Sequence, residues 1–343
     1  MNQLNFFAES DRLDRLSKLG DKLEIISKAP INWKKIKEKL DLAMPDKTHE
    51  GKGGRPPYDK LMLFKICLLQ SRYGLSDGQA EFQINDRLTF QRFLGIGLST
   101  KVPDQNTIWT FREDLSNSGI EYDIFTSFAE ELEELGIVTH EGTIIDATFV
   151  EVPRQRNSRE ENKKIKNNEI PENWSKKKRS HKDTAARWTK KNNETHYGYK
   201  DHLKVDKDSK IITDFEVTSA NVHDSQCMSQ LINEYDKEAW LDSAYTGEEL
   251  EKEVRDKNSK IILHINEKGY KNKPLTEEQK EKNREKSKIR ARVEHVNGQM
   301  TVCGGLFIRC IGRWRAVTAI LLKNMAYNIS RFSYLTVKNP KTA

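Results

Sequence analysis

The sequence predicts a two-part chain. An all-α N-terminal domain covers about residues 1–140. An α/β domain with a mixed sheet flanked by helices covers about 141–335. Three observations carry this reading. Apolar residues recur at helical spacing through the first part. At Thr143 the pattern changes to short apolar or alternating runs. From there the runs follow one another as strand, strand, strand, helix, strand, helix, strand, helix. The length of 343 residues, at about 150 residues per domain, also gives two domains.

In the first part Leu13, Leu16, Leu19, Leu23 and Ile26 share a helical stripe, which Trp33, Ile36 and Leu40 continue after Pro30. Thr48 to Pro57, rich in glycine and charge, reads as a connector. Asp59 opens a strongly apolar helix through Leu61, Leu63, Phe64, Cys67 and Leu68, and Gly74 stops it. Ser76 caps the next helix, and Phe90 to Gly95 is another. After Pro103, Asp104 or Asn106 caps a helix with Ile108, Trp109, Phe111, Arg112 and Leu115. Short helices joined by tight turns suit either a helix-turn-helix-like DNA-binding unit or a dimerising bundle.

In the second part the expected strands are 143–152, 197–205, 211–218, the run Ala239 to Asp242, and 261–265. The expected helices are Ser225 to Tyr235, one opened by a Thr246–Glu249 capping box, Thr276 to about Gln299 with a Thr276–Gln279 box, and Trp314 to Phe332. A meander followed by right-handed β-α-β crossovers is the element order of ribonuclease H-like folds. In such a sheet the first and fourth strands are neighbours, which sets Asp146 beside Asp242. The stretch 154–195 is too polar for core and reads as an insertion.

Charge is unevenly spread. The whole chain carries +7, whereas Arg154 to Lys191 alone holds fourteen basic and five acidic residues. Lys268 to Arg292 holds ten basic and four acidic residues. Two basic blocks around the carboxylates point to a polyanion partner. None of the four cysteines forms a Cys-x-x-Cys pair, which fits reduced residues of a cytoplasmic protein and gives no zinc ribbon. No signal-like start is present, and the helix from Trp314 is too polar to span a bilayer.

Three acids stand apart. Asp146 follows Thr143-Ile144-Ile145, Asp242 follows Ala239-Trp240-Leu241, and Glu294 lies beside the stripe Ile289, Val293, Val296 and Met300. A carboxylate in an apolar strand needs a compensating partner. Two aspartates and a glutamate with open positions meet the needs of a two-metal phosphoryl-transfer site.

The segments Val102-Pro103-Asp104-Gln105-Asn106, Ile145-Asp146-Ala147-Thr148, Tyr197-Gly198-Tyr199-Lys200-Asp201-His202, Asn221-Val222-His223-Asp224-Ser225, Asp242-Ser243-Ala244-Tyr245-Thr246-Gly247 and Arg292-Val293-Glu294-His295 stand in a characteristic order. With them the chain resembles a DDE transposase of a bacterial insertion sequence, of the insertion-sequence-five family, from about Arg55 to Arg331. The resemblance implies Asp146, Asp242 and Glu294 as a catalytic triad holding two Mg²⁺ ions, with Mn²⁺ able to substitute. It implies double-stranded DNA partners, the element's terminal repeats and the target, and a homodimer on DNA. The superfamily's Tyr, Arg, Glu, Lys signature falls here on Ser287, Arg290, Glu294 and Thr301, so two of its positions match. Expected DNA contacts are Trp109, Arg112, Lys176, Lys177, Lys178, Arg179, Lys200 and Arg290. Lys200 and His202 are expected to face DNA or solvent. A nuclease that cuts without joining and a catalytically silent DNA-binding regulator are the alternative functions.

Overall fold

A computed structural model describes residues 8–45, 56–191, 193–270 and 274–338. The chain forms two compact units. One takes the chain up to Ile120 together with the chain from Met325 onward; the other is Glu121–Asn324. The expected division near residue 140 therefore differs by one helix at the start and by the end of the last helix.

The helical unit contains α1 (Ala8–Lys18), α2 (Lys22–Lys28), α3 (Trp33–Ala43), α4 (Lys60–Tyr73), α5 (Asp77–Asp86), α6 (Leu88–Leu94) and α7 (Gln105–Ser118). Most of the expected connector lies outside the described residues. Asp59 caps α4, and Gly74, in the left-handed region at φ 65°, ends it. Ser76 and Gln79 form a capping box on α5. Asp104 caps α7, its carboxylate accepting from the Thr107 amide at 2.7 Å. Phe64, Ile66, Ile84, Phe90, Ile108 and Leu115 are buried.

The second unit begins with α8 (Glu121–Glu134) and, among its described residues, carries six strands: β1 (Thr143–Glu151), β2 (Arg187–Lys191), β3 (Glu194–Asp206), β4 (Ile212–Ser219), β5 (Glu238–Leu241) and β6 (Ile262–Ile265). They form one mixed sheet in which β3, β1, β5 and β6 lie side by side. β1 runs antiparallel to β3 and parallel to β5, and β5 runs parallel to β6. The outer edge of β3 is shared: β2 pairs with its first five residues and β4 with the rest. The path β4-β3-β1-β5-β6 is the ribonuclease H-like order that the element sequence predicts.

Between 154 and 186 the chain is not a structureless polar loop. It forms α9 (Arg159–Lys166) and α10 (Lys176–Ser180), and Ile165, Trp174 and Ala186 are buried. Asp183 ties this insertion down. Its carboxylate accepts from the Tyr199 hydroxyl at 2.8 Å, from the Ala185 and Ala186 amides at 2.9 Å, and from the Gly312 amide at 3.0 Å. A buried carboxylate with this many donors is fully satisfied, so it acts as an anchor. Gly198 answers a different need. A Cβ there would stand 2.4 Å from the Val150 carbonyl oxygen, so only glycine lets β3 approach the end of β1.

The remaining helices are α11 (Met228–Leu231), α12 (Glu248–Lys257), α13 (Glu277–Val302) and α14 (Arg313–Lys338). The expected helix 225–235 is shorter. A 3₁₀ turn over Asp224–Cys227 leads into α11, which Ile232 ends in an extended conformation. The capping box at Thr246 does not form either. Gly247 is the N-cap of α12 without a side-chain bond, and the Thr246 hydroxyl donates back to the Ser243 carbonyl at 3.0 Å. The Thr276–Gln279 box on α13 forms as expected. Among the described residues no helix is long and apolar enough to cross a membrane.

Candidate active site

The register between β1 and β5 builds the site. Thr143 lies opposite Ala239 and Ile144 opposite Trp240. The same offset of 96 residues carries on to Asp146 and Asp242. Asp146 lies on β1 and Asp242 just past the carboxyl end of the short, parallel β5, near enough for the Asp242 charge to act on Asp146. In open α/β sheets that edge is where ligands sit.

Asp146 is half-buried, and Asp242 lies one residue past the end of β5 with its side chain 41% exposed. Asp242 also shapes the turn that follows. Its carboxylate accepts from the Ser243 amide at 2.7 Å, and its carbonyl accepts from the Tyr245 amide at 3.0 Å. Burial raises the Asp146 carboxyl above its ordinary value. The nearby Asp242 charge adds to the rise, while Arg290, the Ala147 amide and Lys191 oppose it. Arg290, from α13, brings Nη1 to 3.5 Å from Asp242 Oδ1. The Tyr245 ring is buried beside the pair, and its hydroxyl has no partner among the described residues.

Glu294 is not drawn into this group. It lies exposed on α13, one turn beyond Arg290, while Val293 and Val296 turn inward. Among the described residues no three His, Cys, Asp or Glu side chains are placed to hold one metal ion. The structure thus joins Asp146, Asp242 and Arg290 and leaves the Glu294 carboxylate outside.

The expected DNA contacts fare differently. Trp109 is 51% exposed on α7. Arg112, by contrast, is used inside the helical unit. Its guanidinium grips both Asp77 carboxylate oxygens, at 2.8 and 2.9 Å, and also donates to Gln70 at 3.2 Å. A bidentate pair of this kind leaves it little to offer a phosphate. Lys176, Lys177 and Arg179 are exposed on α10, whereas Lys178 pairs with Glu161 at 2.5 Å.

The expectation that Lys200 and His202 face DNA or solvent is overturned. Both are buried. The Lys200 amine donates to the Val222 carbonyl and to Asp224, each at 2.6 Å. His202 Nε2 lies 2.8 Å from the Thr218 hydroxyl, and burial pushes its pKa down to about 4, so the ring is neutral. The reason is that β3 is covered on both faces, so its alternation does not lead outward.

Alternation alone did not reveal a second cluster next to the site. Phe149 on β1 stacks on His196 with centroids 4.1 Å apart, and Lys191 and Lys200 each point an amine at the Phe149 ring. The Asn221-Val222-His223-Asp224 turn was the available signal, since its carboxylate follows the β3–β4 hairpin whose first strand holds Lys200.

A ribonuclease H-like sheet with paired aspartates at a parallel strand edge defines a class of metal-dependent polynucleotidyl transferases. Comparison with known families makes this specific. Residues 138–329, more than half of the chain, match the family described as Transposase DDE domain, and residues 11–114 match the Transposase domain (DUF772). The chain belongs to the DDE transposase family. It is an enzyme that cleaves and transfers DNA, with the divalent metal ions that the family implies. A solved structure of the piggyBac transposase synaptic complex with hairpin DNA is similar at a TM-score of 0.46 and 12% identity, over 94% of this chain and 76% of that one.

Proposed function

We propose that this chain is the transposase of an insertion sequence of the insertion-sequence-five type. It would act as a homodimer on the double-stranded terminal repeats of its element and on target DNA. The proposed ligands are Asp146, Asp242 and Glu294, holding Mg²⁺ with Mn²⁺ able to substitute. The observation that supports the reading is the placement of Asp146 on β1 and of Asp242 just past the end of the neighbouring parallel strand β5.

The residues suit a divalent cation. Two neighbouring carboxylates face one arginine, whose reach to Asp242 is 3.5 Å. Burial raises the Asp146 carboxyl, and the Asp242 charge adds to the rise, so a cation bound between them would favour the ionised pair. Metal bound there would polarise the scissile phosphate and make an attacking water or 3′-hydroxyl more acidic. Asp146 and Asp242 would fix its position from rigid strands. Glu294, on the α13 face that also carries Arg290, would close on the metal as the third ligand. Arg290 would hold a phosphate oxygen. Trp109 and the exposed basic residues of α10 would bind DNA. Residues 1–140 would read the terminal repeats.

The test uses the purified chain and a duplex copied from the DNA flanking its gene. With Mg²⁺ the strand products, sequenced, should show cuts at the element ends and joining to target DNA. With EDTA both should vanish. Cutting that persists in EDTA, or no cutting with either metal, overturns the reading.

A further inference from the structure

We propose that Lys191, the last residue of β2, leaves Asp224 when DNA arrives and holds a backbone phosphate at the Asp146–Asp242 site. The inference rests on the transposase reading above and adds a positioning residue to it.

One carboxylate here serves two lysines. Asp224 Oδ1 lies 2.6 Å from the Lys200 amine, and Asp224 Oδ2 lies 3.5 Å from the Lys191 amine. The two lysines are not equivalent. The Lys200 side chain is 9% exposed and has a second acceptor, the Val222 carbonyl at 2.6 Å. The Lys191 side chain is 47% exposed, and 3.5 Å is too long for a strong charge-assisted bond. Lys200 therefore neutralises Asp224, and Lys191 remains as a cation in excess.

The neighbours do not absorb that excess. His202 is neutral, and Glu151 is taken by His196 Nδ1 at 3.0 Å. The Lys191 amine is 5.8 Å from the centre of the Phe149 ring, which gives it a loose perch without a counter-charge. An exposed ammonium pairs only weakly with a carboxylate in water, so exchange onto a phosphate costs little.

The place is right as well as the charge. The Lys191 amine lies over Phe149, which stands three residues after Asp146 on the same strand, β1. β2 belongs to the insertion, and Asp183 fixes that insertion to β3 and to the loop before α14. Lys191 thus sits on a rigid edge beside the reacting carboxylates, not on a swinging loop. Rigid placement is what substrate positioning needs.

The experiment is a charge series at this position in the full-length protein: Lys191→Arg, Lys191→Ala and Lys191→Glu. Binding to the flanking-DNA duplex is measured against salt, and nicking in Mg²⁺ is measured under single turnover. Lys191→Ala should lower the slope of log affinity against log salt by about 0.9, the value for one lost phosphate contact. Subsaturating nicking should fall several-fold, Arg should restore both readouts, and Glu should be worse than Ala. A purely structural pair with Asp224 would move thermal stability but leave the slope unchanged. An unchanged slope in all three variants overturns the proposal while the transposase reading stands. Should Asp146→Asn cut like the wild type, the transposase site is wrong, yet the slope still tests Lys191 as a phosphate contact.

Discussion

β5 is four residues long and carries an aspartate just beyond each end. Asp236, before it, is buried with its side chain 1% exposed. Asp236 Oδ2 meets the buried Lys204 amine at 2.8 Å, and the same carboxylate oxygen accepts from the Asn233 amide at 2.9 Å. His140 Nδ1 stands 3.7 Å from the other oxygen. Burial alone would raise this carboxyl, but His140 and Lys204 outweigh it and hold it below its ordinary range. Asp242, after the strand, is far more open and has one cation at 3.5 Å, shared with Asp146. The residue type is the same; the compensation is not. Where the fold supplies its own counter-charge, the acid serves stability. Where it leaves the charge unmet, a ligand can complete it.

The largest expected effect breaks the open end. Asp146→Asn, Asp242→Asn and Glu294→Gln should each abolish cleavage while duplex binding stays within about threefold. Even an outer-shell partner of a metal is worth about 10–100-fold, so a direct ligand should cost more. Strand-specific nicking assays in Mg²⁺ check this. A Glu294→Gln enzyme that still cuts would remove Glu294 from the set and leave the aspartate pair.

The next effect breaks the closed end. Lys204→Met leaves Asp236 buried with His140 as its remaining cation. Losing one member of a buried pair costs about 3–5 kcal/mol. Denaturant unfolding should show that loss, and nicking by the surviving folded protein should be normal. The pH dependence follows from the signs. Asp236 is lowered from 3.8, so its contribution is present above that value and is lost as pH falls through its folded pKa. His140 is raised from 6.5, chiefly by Asp236, so its contribution is full below that value and is lost as pH rises through its folded pKa. The Lys204→Met deficit should therefore deepen above neutrality, as His140 discharges.

A smaller effect sharpens the comparison. Asp146 is raised on folding, so its ionised form works against the metal-free fold, and stability falls as pH climbs from 3.8 through the folded pKa. Asp146→Asn should stabilise the metal-free protein by about 1 kcal/mol, as relief of a strained functional site commonly does. The gain should be present at pH 7 and shrink near pH 4. Equal melting of both proteins at pH 7 would mean that Asp146 is already compensated.

Much of this contrast was legible in the sequence. The change of period at Thr143 and the strand order fixed β1 beside β5, and so Asp146 beside Asp242. Asp104 and Asp59 were readable as caps because capping is local chemistry. What escaped depends on distant partners. Nothing near Lys200 says that Asp224 will take its amine, nor does the sequence near Arg112 announce Asp77. The insertion looked uniformly polar because one residue, Asp183, carries its attachment through four donors on three segments. Helix lengths around 225–235 also failed, since periodicity does not see where a chain must turn to start β5.

The smallest effect lies in the insertion, and it separates charge that is free from charge that is spent. Lys176, Lys177 and Arg179 are exposed on α10. Lys178 is held by Glu161 at 2.5 Å, and the Trp174 indole nitrogen donates to the same oxygen at 2.7 Å. The Lys178 amine also lies 5.3 Å from the Trp174 ring centre. Counting sequence charge gives four equal DNA contacts; the structure gives three free cations and one internal strut. Alanine at Lys176, Lys177 or Arg179 should each lower the salt slope of duplex binding by up to about 0.9. Alanine at Lys178 should leave the slope almost unchanged and lower thermal stability slightly, by about the worth of a surface pair. Four equal decrements would mean that Lys178 abandons Glu161 for DNA, as Lys191 is proposed to abandon Asp224. Flat slopes at all four positions would make α10 a solvated element and leave the duplex to other surfaces.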